Sequence, residues 1–332
     1  MGILLVVSGL FLLTGGAELL VRGAASLALR LGVSSLAVGL TVVAFGTSMP
    51  EMVVSVRAAL AGIGDIAVGN VVGSNIFNVA VILGVAALIC PVPCHANVVR
   101  REAPIMIGVT LLLIVLAWWG AAAGGAPDGG TAGWLSRPEG LLLAVLIVGY
   151  TSFTYLMAKR ESATVVQEFE QGMPVGPPEA TASRRSWLWD GLLIAAGLVL
   201  LIVGAQCLVD GAVTIARALG VSELVIGLTI VAAGTSMPEL ATSVVAALRH
   251  QPDISLGNVV GSNIFNVLGI LGVTAVIQPL RFSPEVLHRD LPFALLLAVL
   301  CVPLMYTGRR LSRLEGAGLL ILYVGYLALL LR

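Results

Sequence analysis

The sequence predicts an all-α membrane protein of ten transmembrane helices, built as two inverted five-helix repeats. Two observations carry that expectation. Over 332 residues the chain is 58% hydrophobic and 11% charged, with a mean hydropathy of +1.03, whereas soluble domains carry roughly 25% charged residues. An offset of 188 residues also lays the second half on the first without a gap, so that residues 39–87 match 227–275 at 34 of 49 positions.

Ten apolar segments are expected at 2–22, 34–61, 66–90, 103–123, 138–157, 187–209, 222–249, 254–277, 290–307 and 313–331. Each is near the ~20 residues that cross hydrocarbon. The first has no basic region or small-residue cleavage site, so it reads as a retained helix rather than a signal peptide. The second and seventh are long, as broken or tilted helices are. The Gly/Pro/Asp stretch at 120–133 reads as a loop. Glu161, Glu168, Glu170, Glu179, Pro174, Pro177 and Pro178 mark a polar linker, helical at its start and too short for a domain. The expected layout is a first repeat over 1–158, a linker over 159–186 and a second repeat over 187–332.

Lys and Arg set the orientation. Twelve fall on the side of Arg22, Arg100, Lys159 and Arg313, and six on the side of Arg57, Arg137 and Arg281. The positive-inside rule makes the first side cytoplasmic. The linker is then cytoplasmic, both termini are extracytoplasmic, and the expected location is the plasma membrane. Net charge is zero, which gives no reason to expect a nucleic-acid partner. The bilayer is the one obligatory environment, and no obligate protein partner or cofactor is evident. Cys90, Cys94, Cys207 and Cys301 show no metal spacing; Cys90 and Cys94 beside His95 read as small apolar residues at a helix end.

The repeat holds polar residues where packing alone would not keep them. Gly46-Thr47-Ser48-Met49-Pro50-Glu51 returns letter for letter as Gly234–Glu239, and Gly69–Val79 as Gly257–Val267. A carboxylate in mid-membrane costs at least ~2.5 kcal/mol. An odd number of segments per half brings the second copy in from the opposite side of the membrane, as in inverted-repeat transporters. Thr47 and Glu51 are four apart, on one helical face. Pro50 cannot donate to the Gly46 carbonyl and is expected to turn carbonyls such as that of Ala44 off the axis. Hydroxyl, carboxylate and carbonyls form an all-oxygen cage suited to a hard cation.

The second stretch adds Asn70, Ser74 and Asn78 at four-residue spacing, a polar seam on one face. Asn75 and Asn263 fall off that seam and are expected to bond to a neighbouring helix or backbone. Gly69-x3-Gly73 and Gly257-x3-Gly261 permit close approach, so segments 2, 3, 7 and 8 should form the core. Glu51 and Glu239 give a formal charge of −2, which one Ca²⁺ balances. Mg²⁺ dehydrates reluctantly, and soft metals would want Cys, His or Met ligands. Met49 and Met237 point to another face and read as packing.

These stretches resemble the α-repeats of the sodium/calcium exchangers, in the cation/calcium exchanger superfamily. The resemblance covers the ten-segment plan and is most specific over the two GTSMPE and two GNVVGSNIFN stretches. It implies an antiporter that moves three Na⁺ against one Ca²⁺ by alternating access, with segments 1 and 6 sliding across the core. Calcium would be held by Glu51, Glu239, Thr47 and Thr235. Sodium would use the same glutamates with Ser48, Ser236, Ser74, Ser262 and the carbonyls of Ala44 and Ala232, while Asn78 and Asn266 would line the middle. The potassium-dependent branch has aspartate at Asn266, so asparagine there implies K⁺-independence. The chain looks closest to short prokaryotic members and lacks the large calcium-sensing domain of animal exchangers.

The residues alone leave other readings open. Protons could replace Na⁺ on buried glutamates, giving H⁺ exchange with Ca²⁺ or another divalent cation, although the flanking serines suit Na⁺. A passive cation channel would need a continuous pore. An intramembrane enzyme would need a nucleophile–base pair or metal motif, and none occurs in the spans. Glu18, four residues before Arg22, reads as an interfacial i,i+4 pair. Asp65 and Asp253 read as N-caps, and Trp118, Trp119, Trp134, Trp187 and Trp189 as interfacial aromatics.

Overall fold

A computed structural model describes residues 1–94, 96–122, 133–172, 187–220 and 232–330. Helix α1 runs Gly2–Leu31, followed by a pair, α2 (Ser35–Thr47) and α3 (Met49–Leu60), bent by 44°. Then come α4 (Gly64–Ile89), α5 (Val98–Gly120) and α6 (Arg137–Gly172). The second half contributes α7 (Trp187–Ala218), a short turn Ala232–Gly234, α8 (Met237–Leu248), α9 (Pro252–Ile277), α10 (Val286–Arg309) and α11 (Arg313–Leu330). Among the described residues eight helices are long and apolar enough to cross a membrane, or nine when α2 and α3 count as one span. The chain is an all-helical, multi-pass membrane protein. The seventh expected segment, 222–249, falls partly on 221–231, outside the described residues, and α8 is its remainder. His95 and linker residues 173–186 also lie outside them.

Three helices outrun the apolar segments that announced them. α1 continues past Arg22 to Leu31, where Gly32 closes it in the left-handed region with φ 62°. α7 continues to Ala218, and α6 carries the start of the linker as far as Gly172. A hydropathy window stops at the first charges, whereas backbone hydrogen bonding does not. Asp65 and Asp253 do not cap. Ile63 and Gln251 hold those positions, and the aspartates lie in the first turn, where a carboxylate complements the helix dipole. Two short antiparallel strand pairs were not expected: β1 (Val92–Pro93) with β4 (Arg310–Leu311), and β2 (Gly133–Leu135) with β3 (Leu280–Phe282). Each ties a loop of the first half to one of the second.

Most of α4 and α9 is buried, whereas α1, α6, α7 and α11 bury less than a third of their apolar windows. The two copies of the GNVVGSNIFN stretch therefore occupy the centre, and the outer helices expose apolar side chains such as Phe11, Val115 and Ile321. Trp118, Trp119, Trp187 and Trp189 are exposed.

Helices α1 and α7 lie antiparallel and very close. A Cβ on Gly9 would stand 2.7 Å from the Leu208 nitrogen, and one on Gly16 would stand 2.8 Å from the Gly197 carbonyl oxygen. Only a hydrogen fits between the two backbones there. Arg30 at the end of α1 pairs with buried Asp190 at the start of α7, so the two helices are clamped into one unit beside the core.

A matched pair of buried charges braces the outer helices. In α5 the Arg101 Nε donates to Glu102 Oε1 at 2.7 Å, and Tyr150 of α6 donates to Glu102 Oε2 at 2.9 Å. In α10 the Arg289 Nε donates to Asp290 Oδ1 at 2.6 Å, and Tyr326 of α11 to the same oxygen at 3.0 Å. Glu102 and Asp290 end matching π-helical turns, Val98–Glu102 and Val286–Asp290. Tyr150→Phe removes a hydrogen bond to a buried carboxylate and is expected to cost about 1.5–3 kcal/mol. Unfolding in detergent checks this; an unchanged midpoint would show that the bond contributes nothing.

Candidate cation-binding site

The site is built where the two GTSMPE stretches meet. In each, the helix breaks at the serine before Met-Pro-Glu. Ser48 has φ −82° and ψ 5°, and Ser236 has φ −88° and ψ 9°. Proline in the first turn of the next helix needs no donor there, so the chain bends instead of running straight. The bend places Glu51 in the first turn of α3 and Glu239 in the first turn of α8. Both carboxylates are buried, at 0% and 1% exposure, which no soluble core would tolerate unpaired.

The two halves exchange hydroxyls. Ser48 donates to Glu239 Oε1 at 3.1 Å, and Ser236 donates to Glu51 Oε1 at 3.1 Å. Thr47 flanks Glu239 and Thr235 flanks Glu51. Each carboxylate thus accepts from the serine of the other half and lies beside that half's threonine. Ser74 Oγ lies 3.1 Å from Ser236 Oγ, so it belongs to the Glu51 side. Its mate Ser262 is fully buried and its hydroxyl has no protein partner.

Behind this layer, the same exchange repeats. Asn258 accepts from Thr47 at 3.0 Å and donates to the Glu239 carbonyl at 3.2 Å and to Ser243 at 2.9 Å. Asn70 accepts from Thr235 at 3.4 Å and donates to the Glu51 carbonyl at 3.3 Å and to Ser55 at 3.1 Å. Each asparagine pins the backbone of one glutamate and the threonine of the opposite half. Ser55 and Ser243 were not singled out from the sequence. Their signal was available: they match across the repeat, one helical turn past each glutamate.

Close packing makes these reaches possible. A Cβ on Gly261 would stand 2.6 Å from the Leu40 carbonyl oxygen, and one on Gly257 would stand 2.8 Å from that of Leu36. The second Gly-x3-Gly therefore acts as expected, seating α9 against α2. For Gly69 and Gly73 the repeat equivalents of Leu36 and Leu40 are Leu224 and Leu228, which lie outside the described residues.

One expectation needs adjustment. The Ala44 carbonyl is not freed by Pro50: it accepts from the Ser48 backbone N–H at 3.1 Å. A carbonyl oxygen has two lone pairs, and the Thr47 hydroxyl lies 3.4 Å from this one as a second donor. Ala232 lies in the short turn Ala232–Gly234. Glu18 is more than an interfacial pair. Besides Arg22 in its own helix, it accepts from Arg249 Nε at 2.7 Å and so links α1 to the end of α8.

The unpartnered atoms identify what the site can hold. Glu51 Oε2, Glu239 Oε2, Asn78 Oδ1, Asn266 Oδ1 and Ser262 Oγ are all buried without a hydrogen-bond partner. Four of the five form two matched pairs, and all are oxygens. Buried acceptors in such number would be costly without a cation. Among the described residues no group of three or more His, Cys, Asp or Glu could hold a metal. The donor set is hard oxygen on two carboxylates, which suits Na⁺ or Ca²⁺ and not a soft metal.

The model of the family described as "Sodium/calcium exchanger protein" matches residues 1–156 and 189–332. The chain is 34% identical over 280 residues to Inner membrane protein YrbG of Escherichia coli (strain K12), across 84% of this chain and 80% of that protein. It is 31% identical over 299 residues to Sodium/calcium exchanger MaX1 of Methanosarcina acetivorans, across 86% of this chain and 85% of that one. A solved structure of the sodium-calcium exchanger NCX_Mj, soaked with 2.5 mM Na⁺ and 0.1 mM Ca²⁺, matches with a TM-score of 0.79 at 29% identity. That match covers 98% of this chain and 97% of the other. A chain that a single family covers over nearly all of both halves belongs to it, and this protein is a member of the sodium/calcium exchanger family, a membrane transporter rather than an enzyme.

Proposed function

We propose that the protein exchanges Na⁺, three at a time, for one Ca²⁺ by alternating access, without K⁺. The observation that carries this reading is the exchanged pairing of Ser48 with Glu239 and Ser236 with Glu51. One cation seated between the glutamates would draw on both halves at once. Calcium takes Glu51, Glu239, Thr47 and Thr235, its 6–8 oxygens completed by carbonyls or water. Sodium takes the same glutamates with Ser48, Ser236, Ser74, Ser262 and the carbonyls of Ala44 and Ala232. Asn78 and Asn266 line the middle, and asparagine at 266 supports independence from K⁺. Because both ions use the same carboxylates, they compete. Two empty carboxylates in low dielectric cannot pass cheaply through an occluded state, which makes exchange obligatory.

The same reading sets the frame. Ten helices form two inverted five-helix repeats, 1–158 and 187–332, joined by a cytoplasmic linker at 159–186, with both termini extracytoplasmic in the plasma membrane. The clamped pair α1 and α7 moves as one body past α2, α3, α4, α8 and α9.

The test is ⁴⁵Ca²⁺ uptake into proteoliposomes loaded with Na⁺, K⁺ or choline. Uptake is expected only with internal Na⁺, and it should carry net positive charge outward. Uptake driven equally by a pH gradient in choline would replace Na⁺ with H⁺ as the counter-ion. Current without any counter-ion would make the protein a channel.

A further inference from the structure

The four asparagines at the crossing of α4 and α9 form a set of hydrogen bonds joined at one point by Met106, whose sulfur lies 3.4 Å from Asn263 Nδ2. Asn75 Nδ2 donates to the Asn263 backbone carbonyl at 3.2 Å, and Asn266 Nδ2 donates to Asn75 Oδ1 at 2.9 Å. In the other direction, Asn263 Nδ2 lies 3.5 Å from the Asn75 backbone carbonyl, and Asn78 Nδ2 donates to Asn263 Oδ1 at 3.1 Å. All four side chains are buried, none more than 8% exposed. The Oδ1 atoms of Asn78 and Asn266 are left without protein partners.

The polarity of this set is imposed by groups that can only accept. An amide side chain has an acceptor at one end and a donor at the other, and its terminal torsion is broad and nearly two-fold. Nothing intrinsic to Asn266 decides whether it turns oxygen or nitrogen outward. A backbone carbonyl can only accept. Asn75 must therefore aim its NH₂ at the Asn263 carbonyl, which leaves its oxygen facing Asn266. Asn266 must answer with its own NH₂, and its oxygen is then the free end. The same chain of constraint runs from the Asn75 carbonyl and the Met106 sulfur, neither of which can donate, through Asn263 to Asn78.

The free ends sit on turns packed against the helices of the two glutamates. Asn266 opens the π-helical turn Asn266–Leu271, which packs against α3, the helix of Glu51; Asn78 opens Asn78–Ile82, which packs against α8, the helix of Glu239. We infer that Asn75 and Asn263 are positioning residues that fix the polarity of the cation site, by forcing Asn266 and Asn78 to present oxygen rather than nitrogen to the ion. This rests on the proposal that Asn78 and Asn266 line that site. It gives Asn75 and Asn263, which point off the polar seam, a function at one remove. A reversed amide would present an NH₂, whose positive end repels a cation.

The test is equilibrium ⁴⁵Ca²⁺ binding to the full-length protein in detergent, with Asn75→Leu, Asn266→Leu, the double variant and Asn75→Asp. Asn75→Leu is expected to raise the Ca²⁺ dissociation constant about tenfold or more, as loss of a ligand's orienting partner does. The double variant should be no worse than the worse single one, because Asn75 acts through Asn266. Asn75→Asp keeps the oxygen that accepts from Asn266, ionised or not, and should recover most of the lost affinity. If Asn75→Leu is not monodisperse, Asn75→Ser takes its place, being too short to reach Asn266. Unchanged binding in Asn266→Leu would overturn the site reading itself. Weakened binding in Asn266→Leu with additive effects, with no effect of Asn75→Leu, or with no recovery in Asn75→Asp would overturn the positioning role alone.

Discussion

Glu51→Gln and Glu239→Gln are each expected to lower Ca²⁺ uptake by about 100-fold or more while the protein still folds. Glutamine keeps the shape and an oxygen that accepts from Ser236 or Ser48, so the hydrogen bonds at 3.1 Å survive. What it removes is one unit of negative charge from a buried site. Breaking one side of a buried charge pairing costs on the order of 3 kcal/mol or more, about 100-fold in binding. With one carboxylate left, a divalent ion in the site is no longer neutralised. Because an uncharged side chain is cheaper to bury than a carboxylate, the apo variants should unfold at a midpoint no lower than the parent's. Size-exclusion profile, thermal midpoint and ⁴⁵Ca²⁺ uptake together check this. Retained Ca²⁺ exchange in either variant would sink the assignment of the site.

Gly261→Ala should injure both stability and transport, although it adds only a methyl group. The new Cβ would lie 2.6 Å from the Leu40 carbonyl and 2.8 Å from the Ala44 Cβ. Neither neighbour is a flexible chain end, so α9 must move away from α2. Overpacking of this kind costs typically about 1–3 kcal/mol. The movement also stretches the Thr47–Asn258 bond, now 3.0 Å, and through Asn258 the Glu239 carbonyl. The expected result is a lower unfolding midpoint and about tenfold weaker Ca²⁺ binding, the scale of losing an outer partner of a metal ligand. Gly149→Ala is the control, since its Cβ would meet nothing within 4 Å. Equal behaviour of the two variants would show that the close approach is not needed.

Much of this could be read from letters alone, because the chain repeats itself. The matched Thr, Ser, Glu and Asn stood out since lipid-facing packing keeps apolar pattern and does not require them. Asn75 and Asn263 were expected to bond away from the seam, and they do, to each other's backbone. Other features were not legible, for physical reasons. The pairing of Arg101–Glu102 with Tyr150, and of Arg289–Asp290 with Tyr326, joins residues whose spacing differs between the halves. The aspartates at 65 and 253 resembled N-caps, because letters do not show where the first helical hydrogen bond forms. Glu18 appeared paired within its own helix, since its partner Arg249 is 231 residues away in the chain.

The sequence by itself determined the class of the protein, its internal duplication and the identity of the two carboxylates. Hydropathy and exact repetition are properties of the letters, and burial of a charge twice over has few explanations. Only the tertiary structure decided which half serves which carboxylate. The serine and threonine beside each glutamate in the chain do not serve that glutamate; the helix breaks at Ser48 and Ser236 and hands them across. Such an exchange depends on how close two backbones come, and that distance is set by glycines packing against partners far away in sequence.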